Sequence, residues 1–376
     1  MRTTTWVFIA SVLILITVGI LILASASSVR NASDAGYFVK HQLVWLVFFF
    51  LLTIVTTRID YRIYKFLAIP MALFALALLV VVLIPGIGRE INGSWRWISI
   101  GPLTIQPSEL AKVSVIVLFA WWLARYQRRI KEWGRGIFIP FLMLGTFVVL
   151  LVLEPDFGTT MLVSVVAICM MFLSGVSWVP LVSLGVIGLT GVSTIIYYNP
   201  ERMGRIFAFL DPQKYEHDKA WQLVNSMRAF ANGGLSGVGF GNSMQKYDYL
   251  PEAHTDFIFP IIGEELGLIA SIAVLLLFFL IFVLGFRIAL HARDDFGRFL
   301  AYGITLMLSI QALINFTVVT GLAPTKGLAL PFISYGGSSL VVSGIMIGIL
   351  LNIAHQSMQA PEDLSRGLFK DRVRAV

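Results

Sequence analysis

The sequence predicts an all-α polytopic membrane protein with about ten transmembrane helices. Of its 376 residues, 57% are hydrophobic and only 13% are charged. Apolar runs of about 18 residues or more recur along the chain, and a helix of that length crosses a bilayer. The runs lack the short alternating pattern of membrane β-strands. We therefore expect helices that satisfy their own backbone polar groups within the membrane.

Ten segments have the length and apolar character of a span. In chain order they are residues 6–25, 41–57, 66–84, 108–124, 137–153, 158–175, 179–198, 257–285, 299–321 and 338–355. The first contains a signal-peptide-like Ala-Ser-Ala, but its apolar stretch is longer than an ordinary signal sequence, so we expect a retained helix. The pattern predicts one integral membrane domain, residues 1–356, followed by a short cytoplasmic tail, 357–376.

Basic residues set the predicted orientation. More than half of the 28 Lys and Arg residues lie in the termini and in loops on one side of the predicted bundle. The positive-inside rule places that side, with both termini, in the cytoplasm. The loops 86–107, 154–157, 199–256 and 322–337 then face outward, which excludes cytoplasmic donors such as ATP and nucleotide sugars. The net charge of +7 indicates anionic lipid rather than nucleic acid as the partner.

Residues 88–112 carry the first polar motif. Two tryptophans flank Arg96, and Glu109 and Lys112 share one face of the fourth span, just inside the membrane boundary. An interfacial aromatic belt with a local ion pair is the simpler explanation. A lysine inside a spanning helix is nevertheless costly unless it faces a cavity or a partner, and phosphate is a natural partner. We therefore expect Lys112 to be functional.

The turn EPDFGTT, residues 154–160, places Glu154 and Asp156 at the outer boundary between two spans. One interpretation gives these carboxylates a functional or modulatory role. The other is a tight solvated turn in which Asp156 caps the sixth span. The sequence leaves both open.

The segment 199–256 is too long to be a simple connection. It begins with Arg202 and Arg205 beside apolar residues, and the spacing within 220–234 predicts an amphipathic helix on the outer membrane surface. Five glycines follow within residues 233–241. Their GxGxG element is a weak phosphate-binding signal, so we expect close backbone packing or a re-entrant turn.

The stretch PEAHTDFIFPIIGEELG, residues 251–267, leads into the eighth span. Asp256 at the outer mouth of the bundle is a candidate general base, and a partly desolvated carboxylate there would have a raised pKa. The alternative is that Thr255 or Asp256 caps the helix. Glu264 and Glu265 lie about 12 Å further along the helix, at about 1.5 Å per residue. At least one of them should face the bundle interior.

The loop between the last two spans, residues 321–340, has Lys326 as its single charge. The backbone amides of 335–338 are suited to an anion-binding nest, although plain helix termination fits the composition equally well. Together the outward cations and Asp256 suit an anionic amphiphile processed outside the cell. The residues leave open a glycosyltransferase acting on a lipid pyrophosphate-linked sugar or a flippase moving such a lipid. The scarcity of charge near the midplane favours the enzyme.

Five motifs in order give the chain a family resemblance: GSWRWI, QPSELAK, EPDFGTT, LPEAHTDFIFPIIGEELG and PTKGLALPFISYGGSSL. They resemble the SEDS family (shape, elongation, division and sporulation), closer to its division branch than to its elongation branch. The resemblance implies a peptidoglycan glycosyltransferase that polymerises lipid II at the outer face of the bacterial cytoplasmic membrane. It also implies a class B penicillin-binding protein as transpeptidase partner, with other divisome or elongasome membrane proteins.

The resemblance implies that Asp256 is catalytic, as a base that activates the acceptor hydroxyl for an inverting transfer. Thr104 stands where some division-branch members have a basic residue. We expect no metal site in the protein, although a divalent Mg or Mn ion could assist at the pyrophosphate. The predicted substrate-binding residues are Trp97, Glu109, Lys112, Arg202, Arg205, His254, Lys326 and Ser334. The predicted structural or modulatory residues are Glu154, Asp156, Glu264 and Glu265.

Overall fold

The computed structural model describes residues 1–30, 36–91, 94–100, 103–247 and 254–374. Its helices are α1 (Arg2–Arg30), α2 (Tyr37–Arg58), α3 (Ile63–Val82), α4 (Pro107–Arg125), α5 (Ile139–Leu153), α6 (Phe157–Leu173), α7 (Trp178–Tyr197), α8 (Pro200–Leu210), α9 (Trp221–Gly233), α10 (Ile258–Leu290), α11 (Asp295–Val319) and α12 (Gly337–Arg374). A π-helical turn, Trp133–Phe138, leads into α5.

The prediction of a multi-pass membrane protein is confirmed at the level of the helices. In the described part of the chain, eight helices are long and apolar enough to cross a membrane, and two shorter apolar helices cover Phe157–Leu173 and Trp178–Thr194. Helices α4 and α11 are the most enclosed, with 78% of their apolar windows buried, against 17% for α2. These two helices therefore form the centre of the bundle.

The prediction of an all-α chain is wrong between α3 and α4. Three antiparallel strands lie there in the order β1 (Gly88–Ile91), β2 (Ser94–Ile100) and β3 (Leu103–Ile105). The physical reason is visible in the sequence SWRWISI, which alternates small or polar with apolar residues over its first four positions and is rich in the aromatic and β-branched types that favour strands. The sheet packs against α3 and α4.

Helix α10 is interrupted one third of the way along. Gly267 has φ 78° and ψ −174°, so two helical pieces meet at a break rather than forming one straight helix. The break lies directly after Glu264 and Glu265, which places polar backbone beside two carboxylates. Backbone groups freed inside a bundle require protein partners, and the loop after α9 supplies them.

The predicted amphipathic helix is present as α9 and ends at Gly233, followed by Gly234 with φ 52°. Its environment differs from the prediction. Leu223, Asn225 and Ser226 are buried, and the Ser226 hydroxyl donates to the carbonyl of Val319 at 2.5 Å. The helix therefore packs its partly polar face against α10 and α11, where a hydroxyl caps the end of α11.

Candidate active site

The segment that carries Asp256 is held by its backbone at three successive residues. The carbonyl of His254 accepts from the amide of Tyr335 at 2.9 Å, and the carbonyl of Thr255 accepts from the Ser334 hydroxyl at 2.6 Å. The carbonyl of Asp256 accepts from the side-chain amide of Asn315 at 2.8 Å. Donors from α11 and from the loop before α12 thus fix the position of a residue outside any helix.

The carboxylate of Asp256 points toward the loop that carries Lys326. A Cβ atom at Gly327 would lie 2.5 Å from Oδ2 of Asp256, so the carboxylate packs against the bare backbone there. A Cβ atom at Gly158 would in turn lie 3.0 Å from Leu328 and 3.4 Å from the Gly327 carbonyl. The EPDFGTT and PTKG motifs are therefore in contact, and the PTKG loop adjoins Asp256.

Capping of α10 by Thr255 or Asp256 does not match the structure. The N-cap position is Phe257, which makes no side-chain capping bond, and the helix begins at Ile258. Asp256 lies one residue too early to be the N-cap. The Ser334 hydroxyl donates a hydrogen bond to the Thr255 carbonyl. The same hydroxyl accepts a hydrogen bond from the amide of Leu330 at 2.8 Å. Ser334 is thus a link between two segments of the site.

Lys112 lies inside the bundle, 1% exposed, and its ammonium has two partners. Its Nζ atom is 2.6 Å from Oε2 of Glu109 and donates to Oε1 of Gln311 at 3.0 Å. The side-chain amide of Gln311 donates onward to the carbonyl of Ala329 at 2.7 Å. The structure therefore joins the QPSELAK motif to the loop that contacts Asp256 through one buried polar chain.

Asn315 lies one helical turn beyond Gln311 and completes this chain. Its side-chain amide donates to the carbonyls of both Asp256 and Leu328, the second at 2.7 Å. One amide group therefore ties the Asp256 segment to the loop after α11. Polar side chains at such depth are costly without partners, and here their partners are the backbone of the site.

Asp156 is the N-cap of α6, as the structural interpretation predicted. Its Oδ1 accepts from the amide of Thr159 at 3.1 Å, and its Oδ2 accepts from the hydroxyl of Ser108 at 2.9 Å. The same carboxylate accepts from the side-chain amide of Gln106 at 3.4 Å. Asp156 thus anchors the start of α4 to the start of α6 within the protein rather than forming a solvated turn.

Glu154 is fully buried, and neither carboxylate oxygen has a hydrogen-bond partner. Burial, reinforced by nearby Asp156 and opposed by Arg96, raises the pKa of Glu154 to about 8. The Arg96 guanidinium donates to the carbonyls of Glu154 and Pro155, the latter at 2.6 Å. Arg96 of the β2 strand therefore holds the α5–α6 turn, while the adjacent carboxyl favours its neutral form.

The outward cations have different surroundings. The Arg202 guanidinium lies 3.6 Å from the ring centroid of Phe157, a cation–π contact that brings it beside the EPDFGTT motif. Burial, with the charges of Arg205 and Arg96, lowers the pKa of Arg202. Arg205 instead pairs with Glu201 at 2.8 Å on an exposed face of α8. Arg202 is therefore the member of the pair nearer the site.

Lys326 and two aromatic positions complete the set of predicted residues. Burial lowers the pKa of Lys326, whose Nζ atom lies 3.3 Å from the sulfur of Met161. The centroid of the His254 ring lies 4.4 Å from that of Phe38, with the two rings tilted by 35°, and 6.0 Å from that of Tyr335. Trp97 is half-buried in β2, opposite Arg89. The Tyr335 amide bonds to the His254 carbonyl, so it does not serve an anion nest.

Both glutamates after Asp256 are buried at 1% exposure, where the sequence required only one. Glu264 accepts hydrogen bonds from the side chain of Asn232 at 3.2 Å, from the hydroxyl of Ser243 and from two backbone amides. Glu265 accepts from Ser25 at 2.5 Å and pairs with Lys246 at 3.2 Å. Both carboxylates therefore hold the glycine-rich loop.

The glycine-rich loop packs by direct backbone contact, one of the two alternatives that the sequence favoured. A Cβ at Gly237 would lie 2.2 Å from the carbonyl oxygen of Glu265, and a Cβ at Gly267 would lie 2.4 Å from the Gly237 nitrogen. Both glycines have φ near +80°, a region that L-residues with side chains rarely adopt. The glycines therefore serve chain packing.

No metal centre is apparent in the part of the chain that the structure describes. Groups of three or more His, Cys, Asp or Glu side chains able to hold an ion do not occur there. The Asp156 carboxylate accepts three donors from the protein.

Four important residues escaped the sequence analysis: Gln311, Asn315, Gly327 and Lys246. The first two had a signal, because amides four residues apart in an apolar helix mark one polar face directed inward. Lys246 had none, since it stands in an outward loop where a solvated lysine is ordinary. Its burial depends on partners far away in sequence.

Most of the chain matches one protein family. A family profile described as a cell cycle protein, covering FtsW, RodA and SpoVE, matches residues 5–359. The chain belongs to the FtsW/RodA/SpoVE family. This membership confirms the resemblance to the SEDS proteins.

Relatives within the family agree with the division branch. The chain is 42% identical over 359 residues to a probable peptidoglycan glycosyltransferase FtsW of Trichlorobacter lovleyi, covering 94% of each protein. It is 41% identical to the Pseudomonas fluorescens protein of the same name, covering 93% of this chain and 87% of that one.

Solved structures share the fold. A chain of a peptidoglycan synthase complex, in a study of how polymerization and crosslinking are coordinated, superposes with a TM-score of 0.79 at 29% identity, covering 94% of this chain and 98% of its own. The rod shape determining protein RodA of Thermus thermophilus superposes with a TM-score of 0.71 at 27% identity, covering 94% and 97%.

Proposed function

We propose that this chain is a peptidoglycan glycosyltransferase that polymerises lipid II into glycan strands during cell division. The names of its FtsW relatives supply the activity and the branch. One structural observation carries the assignment to a site. Asp256 is held by hydrogen bonds to its own carbonyl and to the two before it, with its carboxylate against Gly327. Such support is what a catalytic group needs to act from one position.

The proposed setting is the outer face of the bacterial cytoplasmic membrane. The proposal counts the eight long helices and the two shorter ones as ten spans, and the positive-inside rule supports cytoplasmic termini. The segment 199–256 then forms the long extracytoplasmic connection between the seventh and eighth spans. In this orientation Asp256 and the loop that carries Lys326 lie on the outer side.

In the proposed reaction Asp256 accepts the proton of the GlcNAc 4-hydroxyl at the end of the acceptor. The oxygen forms a bond to C1 of the donor MurNAc while the bond from C1 to the pyrophosphate breaks. The configuration at C1 inverts, and undecaprenyl pyrophosphate leaves with the electron pair. A carboxylate close to the reacting hydroxyl suits this general-base role.

Charge on the leaving pyrophosphate is stabilised by cations near Asp256 in this proposal. Lys326 directly precedes Gly327, and burial lowers its pKa, whereas an anionic pyrophosphate beside it would favour its charged form. Arg202 is placed beside Phe157 of the neighbouring motif. Lys112 already contacts Glu109 and Gln311, so its proposed role is to fix the position of the loop that carries Lys326. A Mg or Mn ion bound to the pyrophosphate would add further charge stabilisation there.

The proposed partner is a class B penicillin-binding protein that crosslinks the new strands. The structural similarity to a chain of a peptidoglycan synthase complex, which joins polymerization and crosslinking, supports this choice. The apolar helix α7 and other exposed faces are available to membrane partners such as divisome proteins.

Lipid II transport is the alternative, and the break in α10 is the feature that favours it, because transporters use broken helices. The break is filled by protein backbone, however. The amides of Leu268 and Ile269 donate to the carbonyls of Gly234 and Leu235 at 2.9 and 3.4 Å. This filling leaves the enzyme as the better supported function.

Purified protein in liposomes, with and without its partner, tests the two functions. We expect lipid II to be converted to glycan polymer with release of undecaprenyl pyrophosphate. Accelerated movement of fluorescent lipid II across the bilayer without polymer would instead establish transport and overturn the proposal.

A further inference from the structure

Lys246 and Glu265 form an ion pair that is separate from the site described above. In the sequence, the two residues lie on either side of Asp256. Lys246 precedes Asp256 by ten residues and Glu265 follows it by nine. The Nζ–Oε1 distance is 3.2 Å, and the two side chains are 2% and 0% exposed. The pair therefore joins two positions, one before and one after Asp256 in the sequence, within the protein interior.

The pair is also attached to a third element. The Ser25 hydroxyl of α1 donates to Oε1 of Glu265 at 2.5 Å, and the Lys246 ammonium donates to the Ser25 oxygen at 3.0 Å. The ammonium makes a further bond to the carbonyl of Gly241 at 2.5 Å. Three acceptors, from α1, α10 and the loop, thus converge on one buried cation.

The break in α10 continues this attachment along the backbone. The amides of Val238 and Gly239 donate to the carbonyls of Glu264 and Glu265 at 2.9 and 3.1 Å. These carbonyls are available because Gly267 ends the first helical piece. The loop therefore adds backbone bonds to the helix at the residues whose side chains hold Lys246 and Ser243.

Energy alone does not explain a charge pair at this depth. A buried ion pair is often no more stabilising than apolar residues of the same volume, whereas loss of one partner leaves an unpaired charge. The distinctive property of this ion pair is that both charges have partners in only one arrangement of the loop. The Glu264 carboxylate is satisfied by neutral donors alone, so the cation serves Glu265 and the register of the loop.

We propose that Lys246 and Glu265 form a positioning clamp that holds the Asp256 segment in its reactive place. This inference rests on the proposed glycosyltransferase function. The clamp touches neither sugar nor pyrophosphate. Loss of the clamp should lower kcat, because a loosened loop lets Asp256 move away from the acceptor hydroxyl. Substrate binding by other groups should be retained, so KM should change little.

The test compares Lys246→Met, Glu265→Gln and the double variant, all full-length and in liposomes with lipid II. We expect each single variant to lower kcat at least tenfold with KM changed less than twofold. The double variant removes both charges, so its Tm should return toward wild type, but its kcat should stay low. A double variant with wild-type kcat would show that the pair only balances charge and would overturn the clamp.

A matched control and a second measurement separate this inference from the proposed function. The ion pair of Arg228 with Glu216 is half-exposed, so Arg228→Met should leave kcat unchanged. Hydrogen exchange at the amides of Val238 and Gly239 should be at least tenfold faster in Lys246→Met than in wild type, whatever reaction the protein catalyses. Unchanged exchange would overturn the clamp, whereas faster exchange in a protein without polymerase activity would refute the proposed function and leave the loop attachment established.

Discussion

Oδ2 of Asp256 would lie 2.5 Å from a Cβ atom at position 327, so the carboxylate occupies space that only a glycine leaves free. This contact joins the HTDF and PTKG motifs at one point. It also places Lys326, the neighbour of Gly327, on the loop that faces the candidate base. The following predictions test this arrangement and the network behind it.

Gly327→Ala should displace the Asp256 carboxylate, because heavy atoms do not approach this closely. We expect polymerisation to fall by on the order of tenfold or more while Tm changes little, since Gly327 lies in an exposed loop position. Gly145→Ala in α5 is the control, as a Cβ there would meet open space. Equal activity of the two variants would contradict the contact.

Asn315→Ala should loosen the Asp256 segment. It removes the donor that serves the carbonyls of Asp256 and Leu328, and buried carbonyls without partners cost about 1–3 kcal/mol each. We expect kcat to fall by about tenfold to a hundredfold, measured as initial rate at saturating lipid II. Thr317→Val is the matched control, because the Thr317 hydroxyl donates within its own helix to Ile314. A normal rate for Asn315→Ala would remove this residue from the account.

Glu109 and Lys112 should behave as a coupled buried pair. Lys112→Met alone leaves the Glu109 charge unpaired, and such losses cost about 3–5 kcal/mol. The double variant with Glu109→Gln should be more stable than either single variant, as seen in Tm. Additive losses in the double variant would show that the two residues do not interact.

Glu154 should make stability depend on pH. The folded protein, with the pKa of Glu154 raised to about 8, keeps a proton that the unfolded chain releases above its ordinary pKa of 4.5. The free energy of unfolding should therefore fall as pH rises from 4.5 to about 8 and then level off. Glu154→Gln has no such proton to lose.

The Tm of Glu154→Gln relative to wild type should accordingly increase by several degrees between about pH 6 and about pH 9. Glu132→Gln is the control, because Glu132 lies half-exposed on an ion pair with Arg135. Its Tm difference from wild type should be constant over the same range. A constant difference for Glu154→Gln as well would mean that the buried carboxyl is ionised throughout.

Local patterns in the sequence predicted much of this structure. The spans follow from apolar run length, the end of α9 at Gly233 from its glycine pair, and the contact of Glu109 with Lys112 from their spacing of three. The sheet before α4 also had a local signal, since SWRWISI is rich in aromatic and β-branched residues, but the tryptophans favoured the interpretation as an aromatic belt. Each of these features depends on neighbours within a few residues.

The site itself depends on distant pairs that no local pattern fixes. Asn315 contacts the carbonyl of a residue 59 positions earlier, and Lys246 contacts Ser25 across 221 positions. Sequence analysis could identify Asp256 as a candidate through its motif and its location at the mouth of a span. It could not show what holds Asp256, because the holding groups are ordinary amides and backbone carbonyls.

The role of Asp256 is the central claim, and Asp256→Asn tests it most directly. The amide has nearly the same shape and retains the backbone bonds from Asn315, Ser334 and Tyr335, but it cannot accept the acceptor's proton. In liposomes with lipid II and the partner protein, we predict a rate at least a hundredfold below wild type with lipid II binding retained. Polymerisation by Asp256→Asn at the wild-type rate would contradict the account.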